Sequence, residues 1–260
     1  STKVREEFPA VFAAAGQDPK LSEILELSYG NVREICRFLA CHQGEVAVKL
    51  LAAHPKKDYR DISSAVLEDH FVHGKRVYEE ACRKILQAQD GGTDPGERPC
   101  DEKRLRGADE RLCDADEILR YVFNPRIRYE TITPYRSFLL NELTEEQKEA
   151  FTENPAEIWN WIENSVSCEE SRTYHSVVTS PAGVIRTGQG SVLSCKTLFV
   201  AVCRTLGIPA RIDPVTLCAE YYGDGWIAAG EDEKEPAQTG SGLEAAGDGG
   251  RKVRLVVKSK

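Results

Sequence analysis

The sequence contains no methionine, only five histidines and three tryptophans in 260 residues. No apolar run approaches the roughly 20 residues needed to span a bilayer, so the sequence gives no reason to expect a membrane partner. The first residues, STKVREEFPAVFAAAG, also lack the long apolar core of a secretion signal. Excess positive charge is missing too: formal net charge is -8, and basic residues are scattered apart from Arg251-Lys252 and the terminal lysines. That balance excludes the electrostatic footprint of a nucleic-acid binder. Phosphate-loop, dinucleotide and serine-elbow motifs are absent as well. The scarcity of histidine matters most, because thiol, serine and zinc chemistry all draw on imidazole.

What is present is ordinary for a globular chain: 41% hydrophobic and 29% charged residues, enough for a sizeable core. Nine cysteines are many, but the number is odd and several sit inside apolar helical patterns. Reduced, mostly buried thiols in a cytoplasmic protein are therefore expected, not a disulfide framework. Cys36, Cys41 and His42 splay around a helix axis at their spacing. His70 and His73 find no neighbouring cysteine or carboxylate pattern to complete a ligand set. No metal site and no cofactor are expected.

Residues 1–125 read as a helical region. In DISSAVLEDHFVHGKRVYEEACRKILQAQ, Leu67, Phe71, Tyr78, Cys82 and Ile85 recur at steps of three, four or seven. They form one apolar stripe on a long helix. Residues 90–110 are polar and rich in turn formers, which predicts an exposed loop or insertion. A second region, 126–229, begins with the turn at Pro134. NPAEIWNWIENSV then offers Asn154 as N-cap and Pro155 as first helical residue, with Ile158, Trp161 and Ile162 on one face. Short strand-like pieces follow between Arg211 and Trp226. Residues 230–260 read as a flexible linker ending in a strand, RKVRLVVKSK, that needs a partner sheet. That arrangement implies a fragment of a longer protein with further domains.

The segment GQGSVLSCKTLFVAVCRTLGIPAR, residues 188–211, combines a glycine turn, a helix and a stop. A helix over Ser191–Leu206 puts Val192, Cys195, Phe199, Val202 and Leu206 on one face, with Gly207 and Pro209 ending it. A thiol in the first turn would feel the helix dipole, which favours thiolate. Cys195 lies one turn deeper, on the face turned to the core, and reads first as a small buried hydrophobe. As a nucleophile it would require a base, for which His175 in TYHSVVTSPAGV is the nearest candidate in sequence.

The same segment resembles the core of the bacterial transglutaminase-like superfamily, which shares the papain-like cysteine-protease fold. The glycine turn, the L-F-V-A helix and the closing R-x-L-G-I-P-A-R carry the likeness. TSPAGVIRTGQG upstream and IDPVT with YYGDGW downstream add to it. It is strong over residues 180–226 and runs thinly back to about residue 45. The resemblance implies an α+β fold: a helical N-terminal region, then a transglutaminase-like helix packed on an antiparallel sheet.

In that family the helix opens as Gly-x-Cys, with the cysteine twelve residues before the arginine matching Arg204. Counting back from Arg204 reaches Val192, with Gly190 in the glycine position and Ser194 in the following turn. The family's histidine falls in a strand corresponding to residues 215–222, where this chain has none. The third role, usually an Asp or Asn on the next strand, has no assignable residue; Glu231 and Asp232 lie in the linker-like run. By resemblance, then, Gly190, Val192 and Ser194 mark a degenerate active site, and the chain is a pseudoenzyme. Its expected role is that of a binding or scaffold module. Tyr221, Tyr222 and Trp226 would flank a vestigial cleft able to stack on a carbohydrate or pack against a peptide. The rival expectation is an active cysteine peptidase, amidase or transglutaminase using Cys195 and His175.

Overall fold

The computed structural model describes residues 2–90, 115–169, 177–223 and 225–230. Residues 91–114 and 231–260 lie outside that set, so the expected insertion beyond Asp90, the linker and the terminal strand are not described. The fold is α+β, with helices dominating and the strands short.

The N-terminal half is built from helices α1 (Thr2–Glu7), α2 (Pro9–Ala15), α3 (Pro19–Leu27), α4 (Val32–Cys41), α5 (Glu45–Ala53) and the long α6 (Ser64–Asp90). Prolines stand at the first positions of α2 and α3, where a missing N–H costs nothing. The Asp18 carboxylate accepts from the Lys20 and Leu21 amides and caps α3. The predicted stripe on α6 is real: Leu67, Phe71 and Tyr78 are buried in a cluster with Ile35, Phe38, Leu50 and Phe123. Cys82 packs against that cluster, while the Ile85 side chain lies outside the described set.

A short α7 (Ala115–Ile118) runs into a π-helical turn, Leu119–Phe123. The chain then forms α8 (Tyr135–Glu142), α9 (Glu145–Glu153) and α10 (Ala156–Ser165). Thr144 and Gln147 close a reciprocal capping box on α9. Helix α10 starts one residue later than Asn154 and Pro155 suggested. Its buried face is Ile158, Trp159 and Ile162, with Trp161 only packed against the cluster.

Next come β1 (Ser167–Glu169), α11 (Pro181–Thr187), β2 (Gln189–Ser191), α12 (Val192–Leu206), β3 (Ala210–Ile212), β4 (Ala219–Tyr222) and β5 (Trp226–Ala228). Strands β3, β4 and β5 form an antiparallel meander, as the resemblance implied. No local pattern signalled the second pairing, a parallel contact of β1 with β2 that sets Cys168 opposite Gly190. What reads as a glycine turn is thus a left-handed Gly188 (φ 62°) leading into a strand.

Helix α12 is the axis of the second half. It was expected to bury one face, yet residues 194–205 are buried on every side except at Lys196. A helix apolar nearly all round must be enclosed. Here α8, α9, α10 and α11 pack on some sides, the meander on another, and α6 with the π-helical turn on the rest. It ends at Gly207, whose φ of 86° closes the terminal carbonyls in the left-handed conformation that glycine adopts without strain.

Candidate functional site

The site implied by the sequence is the entry to α12. Ser191 is the N-cap: its Oγ accepts from the Ser194 amide and shares a 2.8 Å hydrogen bond with Ser194 Oγ. Ser194 Oγ in turn accepts from the Thr179 amide at 3.0 Å, so both hydroxyls are consumed in tying the loop before α11 to the helix start. Val192 is the first helical residue and is half-buried. A thiol there would feel the helix dipole; the isopropyl group has no atom that can ionise or attack. Gly190 lets β2 approach closely. A Cβ on it would stand 3.3 Å from Ser194 Cβ and 3.4 Å from Cys195 Sγ.

Cys195 is fully buried, as its place in the helix predicted. It is not reduced, however: it forms a disulfide with Cys168 across 27 positions of sequence. That corrects the expectation of free thiols for these two residues. The cause is the parallel β1–β2 pairing, which carries Cys168 alongside Gly190 and against the first turn of α12. In this form Cys195 offers no thiol. Cys36, Cys41, Cys82, Cys203 and Cys218 are free. Burial pushes the Cys203 thiol far above its ordinary value, keeping it protonated. His175, the proposed base, lies outside the described residues.

The aromatic candidates separate. Tyr221 turns inward, its ring 6.3 Å from Phe199 of α12. Tyr222 and Trp226 pair across the strands on the opposite face, rings 5.4 Å apart. They are joined there by Tyr121, 4.9 Å from Trp226, and by Arg211, whose guanidinium lies 4.1 Å above the indole. Arg211 is held by Glu220 at 2.7 Å and Asp213 at 3.6 Å. Hydrogen bonds from the Thr216 amide first, with those from Val215 and the Thr216 hydroxyl and the Arg211 charge, outweigh desolvation and lower the Asp213 pKa.

Two buried arginines fix this half of the molecule to the first. Arg204 donates to the carbonyls of Ala210, Asn124 and Arg126. Arg136 donates to those of Arg204, Val122 and Phe123. Burial lowers the Arg204 pKa to about 10, still cationic at neutral pH. Asp69 accepts from the Arg136 and Ser137 amides and so anchors the start of α8 on α6.

The family model of the transglutaminase-like superfamily matches residues 137–228, from α8 through β5. Residues 137–228 form a transglutaminase-like domain. Its axis is α12, and the position where the resemblance looks for a nucleophile is the first residue of that helix. Comparison with curated proteins and with solved structures finds no match for the chain. Among the described residues of the chain no group of three or more His, Cys, Asp or Glu side chains could hold a metal ion. Nor is any described helix long and apolar enough to cross a membrane. The sequence missed Cys168 as the partner of Cys195, and it missed Arg211 and Tyr121 beside Trp226. Only the alternation of β3 and β4, which puts Arg211 and Glu220 on one face, carried a signal for the latter.

Proposed function

We propose that the transglutaminase-like domain has lost thiol acyl transfer and serves as a binding or scaffold module of a larger bacterial protein. The observation that carries this reading is Val192 at the first helical position of α12, where the resemblance places the family's nucleophile. The disulfide at Cys195 and the absence of histidine from residues 207–230 support it. Tyr222 and Trp226 offer a ring pair on which a carbohydrate or peptide would lie. A disulfide persists in an oxidising compartment, which favours a location outside the reducing cytoplasm.

Iodoacetamide labelling near neutral pH without reductant, followed by peptide mapping, tests the loss of chemistry. Cys195 is expected to stay unlabelled and joined to the Cys168 peptide. Val192→Cys is expected to react with iodoacetamide yet to incorporate no amine into a glutamine peptide, since no imidazole stands on β3–β5. Preferential labelling of Cys195, with amine incorporation by the unaltered chain, would instead support the active cysteine enzyme.

A further inference from the structure

A cavity of about 730 Å³ opens between the helical half and the meander, at the end of α12 away from Val192. Twelve residues of helix separate Arg204 in its lining from Val192, about 18 Å at the usual helical rise. Among the described residues the lining holds five arginines, Arg120, Arg126, Arg128, Arg204 and Arg211, against one carboxylate, Asp116. Such a concentration is unexpected on a chain of net charge -8.

The arginines differ in what they already do. Arg204 is spent on three carbonyls, and Arg211 is paired with Glu220. Arg126 makes two hydrogen bonds to Asp58, at 2.6 and 3.0 Å. Asp58 and Glu220 are not part of the lining, so guanidinium groups stand in front and carboxylates behind. Arg120 and Arg128 have no carboxylate partner among the described residues. Each lies against a tyrosine ring instead, Arg120 5.4 Å from Tyr121 and Arg128 5.2 Å from Tyr129, and both tyrosines line the cavity.

A buried histidine stands beside the arginines. His54 lines the same cavity with its side chain fully buried, and its Nε2 has no hydrogen-bond partner. The volume falls in the range of small-molecule sites, about 300–1,000 Å³.

We infer that this cavity binds a small polyanion, with Arg120 and Arg128 gripping its acidic groups. A planar guanidinium suits both carboxylate and phosphate oxygens in the two-pronged geometry, so the shared chemistry is that of a multiply charged oxyanion. The site does not depend on the reading of the thiol position.

Isothermal titration of the full chain with pyrophosphate and, separately, with citrate at low salt tests it. Saturable one-to-one binding of either probe is expected, and which probe binds tighter separates a phosphate ligand from a carboxylate one. Arg120→Gln and Arg128→Gln should each weaken binding about tenfold or more, since charged hydrogen bonds contribute about 1.5–3 kcal/mol. Neither arginine has an ion-pair partner among the described residues, so both variants should keep the unaltered thermal unfolding curve, which is measured alongside. Arg33→Gln, which loses a charge among the N-terminal helices, should bind as the unaltered chain does. Failure of both probes to bind, or full affinity in the folded Arg120/Arg128 double variant, would overturn the proposal.

Discussion

His70 shows how one side chain couples the fold to pH. Its ring is fully buried, Nε2 donates to the Thr133 carbonyl at 2.9 Å, and Nδ1 has no partner. Burial first, and then the nearby Arg136 charge, hold its pKa well below the ordinary 6.5. The folded chain thus stays neutral at this ring while the unfolded chain takes up a proton, so stability falls as pH drops below about 6.5. Denaturant unfolding at pH 7.5, 6.0 and 5.0 should show this decline, and His70→Gln should flatten it. Asp58 acts in a lower window. Burial opposes its ionisation, but hydrogen bonds from His54 and Arg126, with the Arg126 charge, hold its pKa below the ordinary 3.8. Its contribution is complete above that value and vanishes only as pH falls through the lowered one.

At the scale of an element, α12 was legible because its signals are local. Ser191 before an apolar run, with Gly207 and Pro209 after it, sets bounds that the structure moves by one residue. Removing the cap by Ser191→Ala should cost about 1 kcal/mol, read as a shift in urea midpoint. The C-terminal end depends on distant chain instead. Arg204→Met would leave the carbonyls of Ala210, Asn124 and Arg126 without donors, and about 3 kcal/mol or more of lost stability is expected. Calorimetry should show a lower unfolding temperature for Arg204→Met than for Ser191→Ala. Equal shifts would mean that water replaces the guanidinium. The burial of Cys195 was legible from its place on the apolar face, but its partner was not, since β1 is only three residues long.

Across the whole molecule, two buried clusters meet where Arg136 and Arg204 tie α12 to the π-helical turn and the chain after it. Gly74 makes the approach of α6 feasible there: a Cβ would stand 2.9 Å from Phe123 and 3.3 Å from Arg136. The Cys168–Cys195 disulfide closes a further long-range link in the second half. Reduction, or Cys168→Ala, should lower stability by about 2–4 kcal/mol in non-reducing denaturant titrations of oxidised and reduced chain. An unchanged midpoint after reduction would show that packing around α12 alone holds β1 in place.

The sequence by itself determined the stripe on α6, the bounds of α12 and the short strand-like pieces after Pro209. Each of these is written in periodicity, capping or register over a few consecutive residues. Only the tertiary structure decided that Cys195 meets Cys168, that α12 is enclosed on nearly every side, and that Tyr221 turns away from Tyr222 and Trp226. It alone gathered arginines from the π-helical turn, the segment after it, α12 and β3 around one cavity. Such encounters depend on which surfaces the buried apolar clusters bring face to face, and no local pattern in the chain encodes that.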